Sequence, residues 1–225
     1  PYLLRKLVIN RSNQVWALDT TYIPMARGFV YLTAVVDVAS RQVLAHKVAI
    51  TLEACHATEV IEQAFARWGT PEIVNTDQGS QFTATEFTDA VLKRGCRLSM
   101  DGRGAWRDNV FVERLWRSVK YERVYLKAYD SVSAARADIA DYIDWYNAGR
   151  AHSSLDEATP DQVGRVIRAI NTLFHEGGHA AHFANVVQNA PCFSQEYAPT
   201  SMAYAETQSM FCDSILNDGD WLARY

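Results

Sequence analysis

Three strand-like runs stand one after another near the start of the chain. They are VWALD (15–19), FVYLTAVVDV (29–38) and VLAHKVAI (43–50), rich in β-branched and aromatic residues. The 53–68 segment then changes period, with Ala57, Val60, Ile61, Ala64, Phe65 and Trp68 on one helical face, and Gly69-Thr70-Pro71 stops it. EIVNTD (72–77) reads as a buried strand, 84–94 as a helix ending at Gly95, and RLSM (97–100) as a fifth strand. Asp108 or Asn109 can cap a long helix running to about 127, and 131–147 is a further helix with Ala135, Ile139, Tyr142, Ile143 and Tyr146 facing inward. Three consecutive strands followed by alternating helix and strand predict an α/β fold: a mixed sheet with helices on both faces. Residues 148–163 lose periodicity, and 165–187 regain it as a helix in what reads as new material from Gly164 onward.

The chain of 225 residues has room for one large domain plus a fragment. No apolar run reaches the roughly 18 residues that a membrane span needs. The start, PYLLRKLVINR, has no signal-peptide core and no Met, and is read as an internal cut. Cys55, Cys96, Cys192 and Cys212 are scattered, which fits a reducing cytoplasm better than a disulfide scaffold. Net charge is −4, yet residues 93–127 hold 10 basic and 4 acidic side chains. Such a stretch can face phosphates; on charge alone, a solvated helix surface is the favoured reading.

Three acids sit where this topology gathers chemistry. Asp19 is expected to end the first strand, Asp77 to end the fourth before the turn Gln78-Gly79-Ser80, and Glu113 to lie in the first turns of the long helix. Three carboxylates together suit hard divalent cations, and two such ions can clamp the attacking and leaving oxygens of a phosphodiester. Each acid alone has an ordinary role: a turn cap for Asp19, an Asx-turn for Asp77, the positive helix end for Glu113. Arg117 and Lys120 follow Glu113 at i+4 and i+7 and read as phosphate contacts, with solvated charge as the alternative. Val112, Leu115, Trp116 and Val119 read as core.

The words WALDTTYIP, VVDVASRQVLAHKV, NTDQGSQFTATEF, GRGAWRDNVFVERLWRSVKYE and YIDWYNAGRAHSSLDEATPDQV together resemble the integrase catalytic core of insertion-sequence transposases. This is the OrfB type of the DDE, retroviral-integrase-like superfamily, and the resemblance covers about residues 1–163. It implies a ribonuclease H-like fold, Asp19, Asp77 and Glu113 as the catalytic, metal-binding triad, Mg²⁺ or Mn²⁺ in a two-metal site, and DNA (element ends and target) as substrate. It also implies a homo-oligomer on DNA, with no membrane partner, in a bacterial cytoplasm and at the nucleoid when acting. Against the family's pattern, the N-terminal helix-turn-helix region is read as missing from this stretch, and Arg107 stands where an apolar residue is expected.

The tail carries a second signature. His175, Glu176 and His179 spell H-E-x-x-H, a zinc-ligand pair at i and i+4 with an adjacent general base. Glu206, on a helix read over 201–211, is the candidate third ligand. NTLFHEGGHAAHF through PTSMAYAETQSMFCDSILNDGDWLARY resembles the thimet oligopeptidase and oligoendopeptidase family over about residues 167–225. The resemblance implies Zn²⁺ on His175, His179 and Glu206, Glu176 as catalytic base, and a peptide substrate if the segment functions. It covers only a fragment of that family's helical domain. The expected organisation is therefore a catalytic core over 1–163 and a partial helical metallopeptidase segment over 164–225. The reading it favours is DNA strand cleavage and transfer; peptide cleavage, or an inactive fusion relic, is the alternative.

Overall fold

The computed structural model of the protein describes residues 2–100 and 110–184, with side chains through 177. Strands β1 (Val15–Pro24), β2 (Phe29–Asp37) and β3 (Val43–Ala49) form an antiparallel meander. Helix α1 (Ala54–Trp68) crosses to β4 (Ile73–Thr76), and α2 (Ser80–Thr83) with α3 (Thr85–Leu92) crosses to β5 (Arg97–Met100). Both crossovers return parallel, so the sheet order is β3-β2-β1-β4-β5 and β1 is the centre. Helices α4 (Val110–Glu122), α5 (Val132–Ala148) and α6 (Pro160–Ala184) follow. The expected mixed sheet with flanking helices is the observed fold.

Alternation along β1 divides the core. Val15 and Ala17 face α4 and α5, among Val112, Leu115, Val119, Ile139 and Ile143. Trp16 and Leu18 face the other way, against Val60, Ile61 and Phe65 of α1 and Phe87 and Val91 of α3. Trp16 stacks on Phe65 with ring centroids 5.6 Å apart. The five inward residues expected on α5 are all buried. Ser131 caps that helix, its Oγ accepting from the Ala134 N–H at 3.2 Å.

Three boundaries differ from the sequence reading. β1 does not stop at Asp19 but continues to Pro24, because β2 goes on pairing with it as far as Pro24↔Phe29. α4 ends at Glu122, and a 3₁₀ turn over Val124–Leu126 takes up the rest. α6 begins at Pro160, where proline's missing N–H costs nothing at a helix start, and runs unbroken through Gly164. Asp108, Asn109 and Arg107 lie outside the described residues. The chain divides into two compact units, 1–164 and 165–225; in the second, the described part is the helix, with Val166, Ile170 and Leu173 exposed. Among the described residues no helix is long and apolar enough to cross a membrane.

The α4–α5 connection is fixed by one acid. Asp138 on α5 accepts from Arg123 Nε (3.0 Å) and Nη2 (2.7 Å), from Tyr129 Oη (2.6 Å) and from Lys127. Burial alone would raise this carboxyl, but the bonds from Lys127, Tyr129 and Arg123 hold it down at about 2. A depressed folded value stabilises above the ordinary 3.8 and is lost as pH falls from about 4 towards 2. Asp138→Ala is expected to lower unfolding free energy at neutral pH by roughly 2 kcal/mol in urea titrations. An unchanged midpoint would remove Asp138 as the fastening of this turn.

Candidate active site

The last β1–β4 pair is Leu18↔Thr76, so Asp19 and Asp77 are the next residues on two adjacent parallel strands. Both have the parity of Ala17, whose side chain faces α4. Asp19 is half-buried and opposite Ala34 on its other side; Asp77 is exposed just beyond β4. Asp77 Oδ1 also accepts from the Gly79 N–H at 2.9 Å, the Asx-turn open to it from sequence. Glu113 stands exposed in the first turn of α4, where the helix dipole favours a negative charge.

α4 is tied to β1 at two points. Trp116 Nε1 donates to Asp19 Oδ2 at 2.8 Å, and Lys120 Nζ donates to Thr21 Oγ1 at 2.6 Å. Four helical residues rise about 6 Å and two strand residues about 6.6 Å, so the two ties match in spacing. Asp19 Oδ1 accepts from the Thr20 N–H at 2.7 Å. Trp116, read from sequence as core, is buried as expected, and its indole N–H also orients the acid. The available signal was the indole itself: a buried Trp needs a partner for its N–H, and the stripe that buries it starts beside Glu113.

Burial pushes the Asp19 carboxyl up to about 6. The hydrogen bonds from Trp116 and Thr20 pull it down, and the negative fields of Asp77 and Glu113 add to the rise. The three acids therefore feel one another. Among the described residues, no three His, Cys, Asp or Glu side chains converge tightly enough to enclose an ion. The donor chemistry nonetheless fits a hard divalent cation: oxygen ligands only, mutual repulsion that a cation would relieve, and lone pairs on Asp19 beyond the two bonds it accepts.

Of the proposed phosphate contacts, Arg117 is exposed, its guanidinium 6.0 Å from the centre of the Tyr121 ring. Lys120 is half-buried and held by Thr21. In the tail, His175 is half-buried and Glu176 exposed on α6. His179 lies on the same helix with its side chain outside the described set, and Glu206 lies outside the described residues altogether.

Two family models, each described as an integrase core domain, match residues 9–105 and 94–160. Transposase InsF for insertion sequence IS3A of Escherichia coli (strain K12) is 32% identical over 153 residues, 67% of this chain and 53% of its own length. The chain thus spans about half the length of that curated relative. The HTLV-2 integrase catalytic core domain, solved with magnesium in a dimeric form, superposes with a TM-score of 0.55 at 20% identity. That match covers 68% of this chain and 97% of the viral one. The BIV integrase core gives a TM-score of 0.57 at 19% identity, covering 71% and 99%. At these identities the viral cores establish the ribonuclease H-like fold.

Trp116→Phe keeps most of the buried ring and deletes its donor. Asp19 is then expected to titrate above 6 in carbon-13 NMR of the carboxyl, because a bond favouring the charged form is gone. A raised folded value costs stability as pH rises from 3.8 through about 6, so that loss should deepen in the variant. An unchanged Asp19 titration would mean the indole does not hold the acid.

Proposed function

Residues 9–160 belong to the integrase core domain family, and from that premise we propose that the chain is the catalytic core of a DNA transposase that cuts and joins DNA strands with a divalent metal. The observation that carries this reading is the pair Asp19 and Asp77, adjacent on parallel β1 and β4 and turned towards the helix that bears Glu113. The InsF relative is named as a transposase, and the HTLV-2 core was solved with magnesium. Both support DNA as substrate and Mg²⁺ or Mn²⁺ as cofactor here.

In this reading Asp19, Asp77 and Glu113 hold the metal. When bound, divalent ions supply activation of the attacking oxygen and stabilisation of the leaving 3′-oxygen. The chain's own part is positioning. Trp116 and Thr20 fix both oxygens of Asp19, and the Asx-turn to Gly79 fixes one oxygen of Asp77. Arg117 and Lys120, one and two turns beyond Glu113, hold backbone phosphates beside the acids. The dimeric form of the HTLV-2 core supports a homo-oligomer on DNA. The family reading also carries the bacterial cytoplasm and nucleoid as its place of action.

Asp77→Asn is expected to abolish Mn²⁺-dependent nicking and joining of DNA while the chain still binds it. Activity surviving that change would remove Asp77 from the site. The Mn²⁺ concentration needed for half-maximal nicking should also rise as pH drops through about 6, because protons then compete with the ion for Asp19.

For the two-part organisation, core over 1–163 and metallopeptidase segment over 164–225, we propose that the tail is a separate zinc-binding piece without peptidase activity. One observation favours helical zinc ligation: α6 carries His175 and His179 four residues apart on an unbroken helix. Zinc bound per purified chain checks this. About one equivalent, lost in His175→Ala, is the expected result; no bound zinc would remove Zn²⁺ together with the roles of His175, Glu176, His179 and Glu206.

A further inference from the structure

A cleft of about 530 Å³ opens along α4, walled by Arg41, Arg114, Arg117, Arg150, His152 and Ser153. Its lining carries four arginines against one acid, Glu122. That acid is already committed: Arg150 grips it through Nε (2.8 Å) and Nη2 (2.5 Å), and Tyr142 Oη donates to it at 2.7 Å. Among the described residues neither Arg114 nor Arg117 makes an ion pair. The cleft therefore holds uncompensated positive charge.

Its floor is built rather than incidental. The β2–β3 turn is fastened by Asp37, which is buried and accepts from the Ser40 N–H (3.0 Å) and Oγ (2.5 Å). That turn puts Arg41 at a positive φ of 65° and lays its guanidinium 3.5 Å from the centre of the Phe111 ring. Arg41 Nε is buried without a hydrogen-bond partner. Burial and then the neighbouring Arg114 lower Arg41 to about 10, against partial compensation from Tyr146 and Asp37, while its Nη1 donates to the Val38 carbonyl. His152 is 8% exposed, with its ring edge-on to Tyr146 at 4.6 Å. One ring nitrogen bonds the Tyr146 backbone; Nε2 is buried with no partner. A buried Arg41 Nε with no acceptor, beside Arg114 and Arg117 without ion pairs, suits an anion.

We propose that this cleft binds a phosphodiester of the DNA strand leading away from the three acids, with Arg41, Arg114 and Arg117 as charge and His152 Nε2 as a further donor on binding. This rests on the DNA-processing reading above. In the free chain burial, and then Arg150, lower the His152 pKa, so Nε2 donates only once the phosphate's charge draws a proton from solvent onto the ring. DNA is favoured over a free anion because Arg117 serves both places. It lies four residues after Glu113, about 6 Å along α4, and it also walls the cleft. One strand passing Glu113 runs over Arg117 into the arginine cluster. Arg41, Arg114 and Arg117 also suit phosphate through their planar donor geometry.

The test uses the full chain and a short fluorescein-labelled DNA duplex in EDTA, read by anisotropy across a salt series. His152→Gln and the exposed Arg114→Gln should each weaken binding about fivefold, and Arg114→Gln should flatten the salt slope by about one. Arg94→Gln, on the α1–α3 side of the sheet and paired with Glu62, should change neither. Mn²⁺-dependent nicking is measured on the same wild-type preparation. Wild-type nicking with unaltered affinity and slope in both variants would overturn the pocket and leave the core's function standing. A wild-type chain that neither binds nor nicks DNA would overturn the functional reading and this proposal with it. The His152 ring is also followed by NMR: a shift with duplex supports the proposal, and a shift with inorganic phosphate but none with duplex would make the cleft a free-anion site and overturn DNA as its occupant.

Discussion

The hydrogen bond from Trp116 to Asp19 joins the two halves of the molecule's chemistry. It ties the helix that carries Glu113 to the strand that carries Asp19, and the Lys120–Thr21 bond one helical turn later keeps α4 from rotating. The indole is buried in the sheet–helix core and its N–H lies at the edge of that core. Packing thus supplies the position and the hydrogen bond supplies the direction. Without the first, the donor would wander; without the second, a half-buried carboxyl would face apolar surroundings with fewer bonds to its charged form.

That carboxyl sits under tension. Burial and two neighbouring acids push it towards the neutral form, while Trp116 and Thr20 favour the charged one. A divalent cation held there would relieve that repulsion among the three acids. On another flank of α4 the signs are reversed: burial first, and then Arg114, depress Arg41. One helix therefore presents a cation-seeking edge and an anion-seeking edge, which is what a phosphodiester and its metal would need together.

Much of this was legible in the sequence. The period change at residue 53, the stop at Gly69-Thr70-Pro71 and the inward faces of α1 and α5 agree with the observed elements because apolar spacing is a local property. The end of β1 was not legible. Polar Asp19, Thr20 and Thr21 interrupt the apolar run, yet β2 supplies backbone partners through Pro24, and cross-strand pairing outweighs local polarity. The start of α6 was equally hidden, since Ala158-Thr159-Pro160-Asp161 reads as a turn until the Thr159 backbone and side chain bond Gln162 and open a helix.

The sequence by itself determined the order of elements, the inward faces of α1 and α5, and the family of residues 9–160. These follow from periodicity and from words of sequence, which need no partner to be read. Only the tertiary structure decided that Trp116 serves an acid, that Lys120 is held by Thr21, and that Arg41 and His152, 111 positions apart, wall one cleft with the arginines of α4. Long-range pairing sets those relations, because a side chain's partner across the fold depends on register and helix rotation, and neither is written in local spacing.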